Sequence, residues 1–318
     1  MIDQSDIANA CDRLRAGQLV AFPTETVYGL GADASQPRAV ERIYALKGRP
    51  SNHPVIVHLA AAAEISQWAR DIPQTAWALA DHFWPGPLTL ILRRASHVPL
   101  AVTGGQDSVG VRVPSHPVAQ ALLKAFGGGV AAPSANRYGR ISPTRAEHVR
   151  EEFGDESPLV LEGGDCDVGL ESTIISLLGT PMLLRPGGIS RRQIEAVIGP
   201  LGETSEGDVP RAPGTTVSHY APATPLRWLS PAELRAGIDP AAAVLALSPP
   251  PPGHRGPWTR LANDPVLYGR DLYAALRRLD QTGSPIILVE PPPHDPAWEA
   301  VHDRLKRSAA AYTETNLP

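Results

Sequence analysis

Phe22-Pro23-Thr24-Glu25-Thr26-Val27-Tyr28-Gly29-Leu30-Gly31 joins an apolar run to a polar, glycine-bearing turn, and the fold can be read outward from it. Residues 18–22 have the pattern of a short buried strand, stopped by Pro23, which has no N–H to give a neighbouring strand. Two threonines, a carboxylate and a tyrosine follow. The glycines behind them would let a ligand approach the backbone. Polar groups at strand ends are where open α/β sheets bind ligands. Downstream, Pro37 sits where a first helical residue belongs, with Ser35 as a cap; Val40, Ile43 and Tyr44 share one helical face, and Gly48 and Pro50 end the helix. Strands are expected at 55–59, 88–92, 109–113, 129–132, 159–161, 173–177 and 182–185, and helices at 74–84, 117–126 and 190–198. Strands and helices alternate without a regular βαβ rhythm. That predicts an α/β fold with a twisted mixed parallel/antiparallel sheet and flanking helices over residues 1–200.

Residues 201–225 are rich in Gly, Pro, Thr, Ser and Glu and read as a linker. Beyond it, residues 226–318 predict a smaller, Rossmann-like α/β domain, with strands at 226–229, 243–247 and 285–290 and helices at 265–280 and 296–312. Proline use supports the division: 16 of the 34 prolines fall in the first 200 residues and 18 in the last 118. The run Pro249–Pro252 and the stiff turn Pro291–Pro293 belong to that second part.

Bulk composition narrows the function. A net charge of −4 and an aromatic content of 5% give neither the basic footprint nor the stacking platforms of a nucleic-acid binder, so no stable nucleic-acid binding is expected. Two cysteines, Cys11 and Cys166, cannot build a disulfide framework or a cysteine-based zinc site. The first residues are acidic and polar, which is no secretory signal, and no apolar run approaches ~18 residues. The expectation is a cytoplasmic protein without a membrane span. Only three of the 29 basic residues are lysine, and Lys47 stands beside Gly48-Arg49-Pro50.

No Walker phosphate loop, dinucleotide fingerprint, zinc-protease motif or nucleophile elbow occurs. Five polar segments remain. In Lys47-Gly48-Arg49-Pro50 with His53 and His58, two cations at a helix end suit phosphate or carboxylate, or they offset the helix dipole. Arg112, inside the apolar strand 109–113 that follows Ser108, needs a partner, either a protein carboxylate or a ligand anion. Ala132-Pro133-Ser134-Ala135-Asn136, then Arg140, Ser142 and Thr144, offer hydroxyls and an amide after a strand; Thr144 with Glu147 reads as a capping box. Glu171-Ser172-Thr173 leads a strand. Arg185-Pro186-Gly187-Gly188 ends one, and its glycines either offer backbone N–H groups to an anion or form a plain turn. Four cationic groups, several hydroxyls and an amide suit an anionic nucleotide plus a small polar substrate.

The segments FPTETVYGLGADA, KGRP…PVIVHL, WPGPLTLIL, VGVRVP, APSAN, EST-I and LRPGG, in this order, resemble the YrdC-like threonylcarbamoyl-AMP synthases over residues ~10–200. The linker with His219-Tyr220-Ala221-Pro222 and the domain after it resemble the long, two-domain form of that family. The resemblance implies that L-threonine, bicarbonate and ATP, with Mg2+ accompanying the ATP, give threonylcarbamoyl-adenylate and pyrophosphate. The intermediate would pass to a tRNA threonylcarbamoyl-transfer machinery that makes t6A at position 37. It implies catalytic signatures at Lys47, Arg49, Ser134 and Asn136. Threonine would be held by Thr26, His58, Arg112, the backbone near Ala132, and Ser172. ATP would meet Arg49, His53, Ser108, Ser134, Ser142 and Arg185, with His219 or Tyr220 of the linker closing over it. Position 53 is more often asparagine in that family, and residues 215–218 depart from its usual linker. A metal site built from protein side chains is not expected. Two rivals are an RNA-binding module on the same fold and an adenylate former acting on carbamoyl phosphate. The overall acidity and the scarcity of aromatic residues oppose the first; the absence of zinc-finger and acylphosphatase-like segments opposes the second.

Overall fold

Two strands bracket the decisive stretch. β1 (Val20–Phe22) and β2 (Gly29–Asp33) pair antiparallel, with Phe22 opposite Gly29. The glycines read as a turn are therefore strand. A Cβ on Gly31 would stand 2.8 Å from the Phe22 ring and 2.9 Å from Val130 Cγ1, so β2 fits between these neighbours only without a side chain. In this computed structural model, residues 3–203, 210–230, 233 and 237–312 are described. They form two units: residues up to Tyr138 with Pro143–Thr215, and Gly139–Ser142 with the chain from Thr216. The division falls inside the expected linker; its residues 204–209 lie outside the described ones.

The first unit adds β3 (Ile56–His58), β4 (Ala69–Arg70), β5 (Leu88–Arg94), β6 (Ser108–Arg112), β7 (Val130–Ala131), β8 (Leu159–Val160), β9 (Thr173–Ser176) and β10 (Met182–Arg185). The sheet order is β10-β9-β5-β6-β3-β7-β2-β1-β8, with β4 beside β5. β1–β8, β3–β6 and β5–β9 are parallel and the other pairs antiparallel, which is the expected mixed sheet. The helices are α1 (Gln4–Arg15), α2 (Pro37–Lys47), α3 (Gln74–Phe83), α4 (Leu100–Thr103), α5 (Pro117–Phe126), α6 (Ala146–Phe153) and α7 (Arg191–Ile198).

Alternation along the strands sorts the two faces. Val57, Leu88, Leu90, Val109, Val111 and Ile175 share a core with Val40, Ile43 and Leu79 of α2 and α3. On the other face, Ile7, Leu14 and Leu122 of α1 and α5 cover Val20, Phe22 and Val130. That cover leaves Ser108, Gly110 and Arg112 of β6 on a part of the face with a different lining. α1 was not anticipated, although Ile7, Ala10, Cys11 and Leu14 bury at helical spacing.

Two expected caps differ. The cap position of α2 is Gln36, without a side-chain bond; Ser35 instead donates through N and Oγ to Asp33 Oδ1, at 2.9 and 2.6 Å. α6 starts after Arg145, and the Thr144 N–H goes to His148 Nδ1 at 3.3 Å, so the Thr144–Glu147 capping box does not form. α7 has its own capping box, Ser190 with Gln193. Gly187 and Gly188 precede its cap residue, Ser190. Gly187 lies against the backbone of Glu171–Thr173.

The second unit contains β11 (Leu226–Trp228), β12 (Ala243–Ala246), β13 (Trp258–Arg260) and β14 (Ile287–Val289), all parallel in the order β11-β14-β12-β13. α8 (Pro265–Asp280) buries Tyr268, Leu272, Tyr273 and Leu276. The helix expected over 296–312 is α9 (Glu299–Ala309) with a 3-10 turn at either end. Tyr220, with φ +61°, rests between the Tyr273 ring at 5.7 Å and the Arg304 guanidinium at 5.2 Å; Ser308 Oγ donates to its carbonyl at 2.9 Å.

Candidate functional site

β3 and β6 run parallel in register, so His58 stands beside Arg112, and both side chains leave the sheet on the face away from α2 and α3. Three strands separate β1 from β6. The loop after β1 reaches across them. Thr26 Oγ1 accepts from Arg112 Nη1 at 2.9 Å, Gly86 O accepts from Nε at 3.3 Å, and Glu25 Oε1 lies 2.7 Å from Nη2. Arg112 is 3% exposed and Glu25 4%. Of the two partners expected for the buried arginine, a protein carboxylate is present. The other oxygen of Glu25 accepts from Ser115 N at 3.1 Å. Thr24 Oγ1 fixes the loop, accepting from the amides of Thr26 and Val27 at 3.2 Å each and donating to Val27 O at 2.6 Å.

His58 is buried, and its pKa is pushed down to about 3, first by loss of solvent and then by the Arg112 charge. It is neutral at physiological pH. Its ordinary value is 6.5, so the unfolded chain takes up the proton first as pH falls. The stability from a neutral His58 is whole above that value and declines below it, by up to about 1.4 kcal/mol per pH unit. His58→Gln is expected to show a shallower loss of urea midpoint than the parent between about pH 6 and 4. Equal slopes would contradict this burial.

Thr89 follows the same alternation on β5 and places its hydroxyl 2.7 Å from Ser172 Oγ. Arg185, at the end of β10, donates to Ser172 O from Nε and Nη2 at 3.0 and 2.8 Å and to Pro213 O at 2.9 Å. Arg185 thus fixes the strand-leading Ser172 and the segment around Ala212, which packs on Ile91 and Ile174 of this face.

The second polar group lies where β3 begins and β7 ends. Lys47, expected at a phosphate, is 3% exposed and donates to Ser134 O at 2.6 Å and to Asn136 O. Burial holds its pKa well below the ordinary lysine value, with the Arg49 charge adding to the effect. Ser134 bridges antiparallel to Gly29, which sets the polar continuation of β7 beside β2. Ala132 N donates to Ile56 O at 2.9 Å. Arg49 Nη2 donates to Pro54 O at 2.8 Å, and its guanidinium sits 5.7 Å from the Tyr138 ring. His53 Nδ1 meets Tyr138 OH at 3.1 Å, and its pKa is lowered by burial, then by Arg49 and Arg211. Ser108, buried at the start of β6, lies toward this end because Gly110 aligns with Ile56.

The fold therefore gathers Thr26, His58, Arg112 and Ser172 into one group and Lys47, Arg49, His53, Ser134 and Asn136 into another. Ser142, His219 and Tyr220 belong to the second unit. Three residues in these groups were not singled out in the sequence. The alternation of 88–92 sets Thr89 apart from Leu88 and Leu90; nothing local marks Tyr138 or Gly86. Among the described residues no three His, Cys, Asp or Glu side chains could hold a metal ion, and no helix is long and apolar enough to cross a membrane.

Residues 12–187 match the family model Sua5_yciO_yrdC (Telomere recombination), and residues 189–310 match Sua5_C (Threonylcarbamoyl-AMP synthase, C-terminal domain). The chain is 39% identical to a threonylcarbamoyl-AMP synthase of Pyrococcus abyssi, over 97% of this chain and 95% of that one. It is 46% identical to one of Bacillus subtilis, over 69% of this chain and 65% of the relative. A crystal structure of P. abyssi Sua5 complexed with L-threonine matches with a TM-score of 0.88 at 37% identity, covering 98% of this chain and 96% of that one.

Proposed function

This chain belongs to the Sua5–YciO–YrdC family and makes threonylcarbamoyl-AMP, and we propose that it does so as a nucleotidyltransferase, moving an adenylyl group from ATP to N-carboxy-threonine. The free amine of L-threonine adds to CO2 with release of a proton, or to bicarbonate with release of water, to give a carbamate. A carbamate oxygen then attacks the α-phosphorus of ATP, and pyrophosphate leaves. No covalent enzyme intermediate is needed. The protein positions two anions side by side and balances their charge.

The observation that supports this best is Arg112, a buried guanidinium beside a neutral histidine on the sheet face away from α2 and α3. A guanidinium suits a carboxylate through its planar fork, so we assign the threonine carboxylate to Arg112. Thr26, His58, Ser172 and the backbone near Ala132 line its place, with ATP toward Arg49, His53, Ser108, Ser134 and Arg185. In this reading Lys47 acts by holding the carbonyls of Ser134 and Asn136, which shapes the loop the nucleotide meets. Mg2+ would accompany the phosphate oxygens of ATP and help pyrophosphate leave; among the described residues no three His, Cys, Asp or Glu side chains are grouped to hold it. The product would feed t6A formation through a tRNA threonylcarbamoyl-transfer machinery in the cytoplasm.

Pyrophosphate release with ATP, bicarbonate and L-threonine tests the reading. Release is expected to need all three, to fall at least about tenfold with L-serine, and to stop with EDTA. Release that ignores threonine would refute the proposed reaction; release that survives EDTA would refute the role of Mg2+.

A further inference from the structure

Three buried polar atoms around Arg112 are left without hydrogen-bond partners among the described residues: Arg112 Nη2, Glu25 Oε1 and His58 Nδ1. Native proteins leave few such atoms, and each one asks for an explanation. The first two lie 2.7 Å apart as an ion pair but are not aligned as donor and acceptor. The pair is nonetheless held on every other side. Thr26 and Gly86 fix the guanidinium through Nη1 and Nε, and Ser115 N fixes the carboxylate through Oε2. Each group thus keeps one charged edge with unused hydrogen-bonding capacity, and the two edges adjoin.

We propose that Glu25 is a specificity residue that receives the ammonium group of the substrate amino acid while Arg112 receives its carboxylate. A lone Arg112 would favour any small carboxylate, whereas an adjoining plus and minus pair is complementary to a zwitterion, whose own charges are likewise adjacent. A carboxylate without an amine meets the attraction of Arg112 but also the repulsion of Glu25. The pair therefore selects for the amine that the reaction must carboxylate. It also aims that amine, because an ammonium held on Oε1 has a fixed direction relative to the carboxylate on Nη2. Glu25 is a positioning group here and takes no covalent part.

This proposal rests on the assignment of the threonine carboxylate to Arg112, and the test separates the two. The full-length chain is titrated calorimetrically with L-threonine and with (R)-3-hydroxybutanoate, which is threonine without its amine. The parent is expected to prefer threonine by at least about tenfold. Glu25→Gln keeps the shape and an oxygen for the Ser115 amide. It is expected to weaken threonine about tenfold and to bind 3-hydroxybutanoate more tightly than the parent does, so that the preference collapses toward one. Glu25→Asp should restore part of the preference. If Glu25→Gln weakens both ligands equally, or leaves the preference intact, Glu25 does not receive the amine and the proposal fails. Arg112→Gln tests the underlying assignment alone: unchanged affinity for both ligands would remove the carboxylate from Arg112, whatever Glu25 does.

Discussion

Arg112→Ala is expected to lower kcat/KM for threonine by about a hundredfold or more, with most of the loss in KM. The substitution removes the cation assigned to the substrate carboxylate. It also strands Glu25, 4% exposed, with no opposite charge and only the Ser115 amide for its second oxygen. Taking one partner from a buried ion pair typically costs about 3–5 kcal/mol, because the remaining charge stays out of water. The thermal midpoint should therefore fall together with activity. Arg112→Lys separates the two effects. A lysine restores the charge beside Glu25 but not the fork that reaches Thr26, Gly86 and a ligand at once. It is expected to recover most of the midpoint and little of the threonine affinity. Steady-state kinetics with varied threonine, alongside thermal denaturation, read both. An unchanged KM in folded Arg112→Ala would mean that the carboxylate is held elsewhere.

Sequence reading succeeded where a segment carries its own punctuation. α2, α5 and α8 start at Pro37, Pro117 and Pro265 as expected, because a proline at the first helical position lacks only an N–H the helix does not use. β10 spans the expected residues, Met182–Arg185, and the expected mixed sheet with flanking helices is present. Failures occur where the reason lies in a distant neighbour. Gly29-Leu30-Gly31 reads as a turn until Phe22 and Val130 are seen to press on both sides of Gly31. Thr144 and Glu147 have the spacing of a capping box, but the Thr144 amide goes to His148. The candidate site follows the same rule. That Arg112 needs an anion is legible from one lone charge in an apolar strand. That Glu25 supplies it is not, because three strands lie between them. Lys47 is the clearest case: from the sequence a cation beside Gly48 and Arg49 suits a phosphate, yet the fold turns its ammonium toward two backbone carbonyls.

Gly187→Ala should be among the most damaging single-methyl changes in the chain. A Cβ there would stand 2.4 Å from Thr173 N, 2.5 Å from Glu171 O and 2.6 Å from Ser172 C. All three are backbone atoms, so no side-chain rotation relieves the clash. One of the two segments must move, and overpacking of this kind costs about 3 kcal/mol or more. In a unit of this size that is a fall of roughly 6–12 °C in Tm. The displaced segment carries Ser172, whose carbonyl takes two hydrogen bonds from Arg185 and whose hydroxyl meets Thr89. KM for threonine should rise as well, since a shift of about 1 Å near a binding group is costly. Gly179→Ala is the control. Nothing lies within 4 Å of its added Cβ and its φ is not in the left-handed region, so its Tm should stay close to the parent's. A Gly187→Ala protein with the parent's Tm and threonine KM would show that residues 171–173 yield freely, and the close approach of the two backbones would then not fix Ser172.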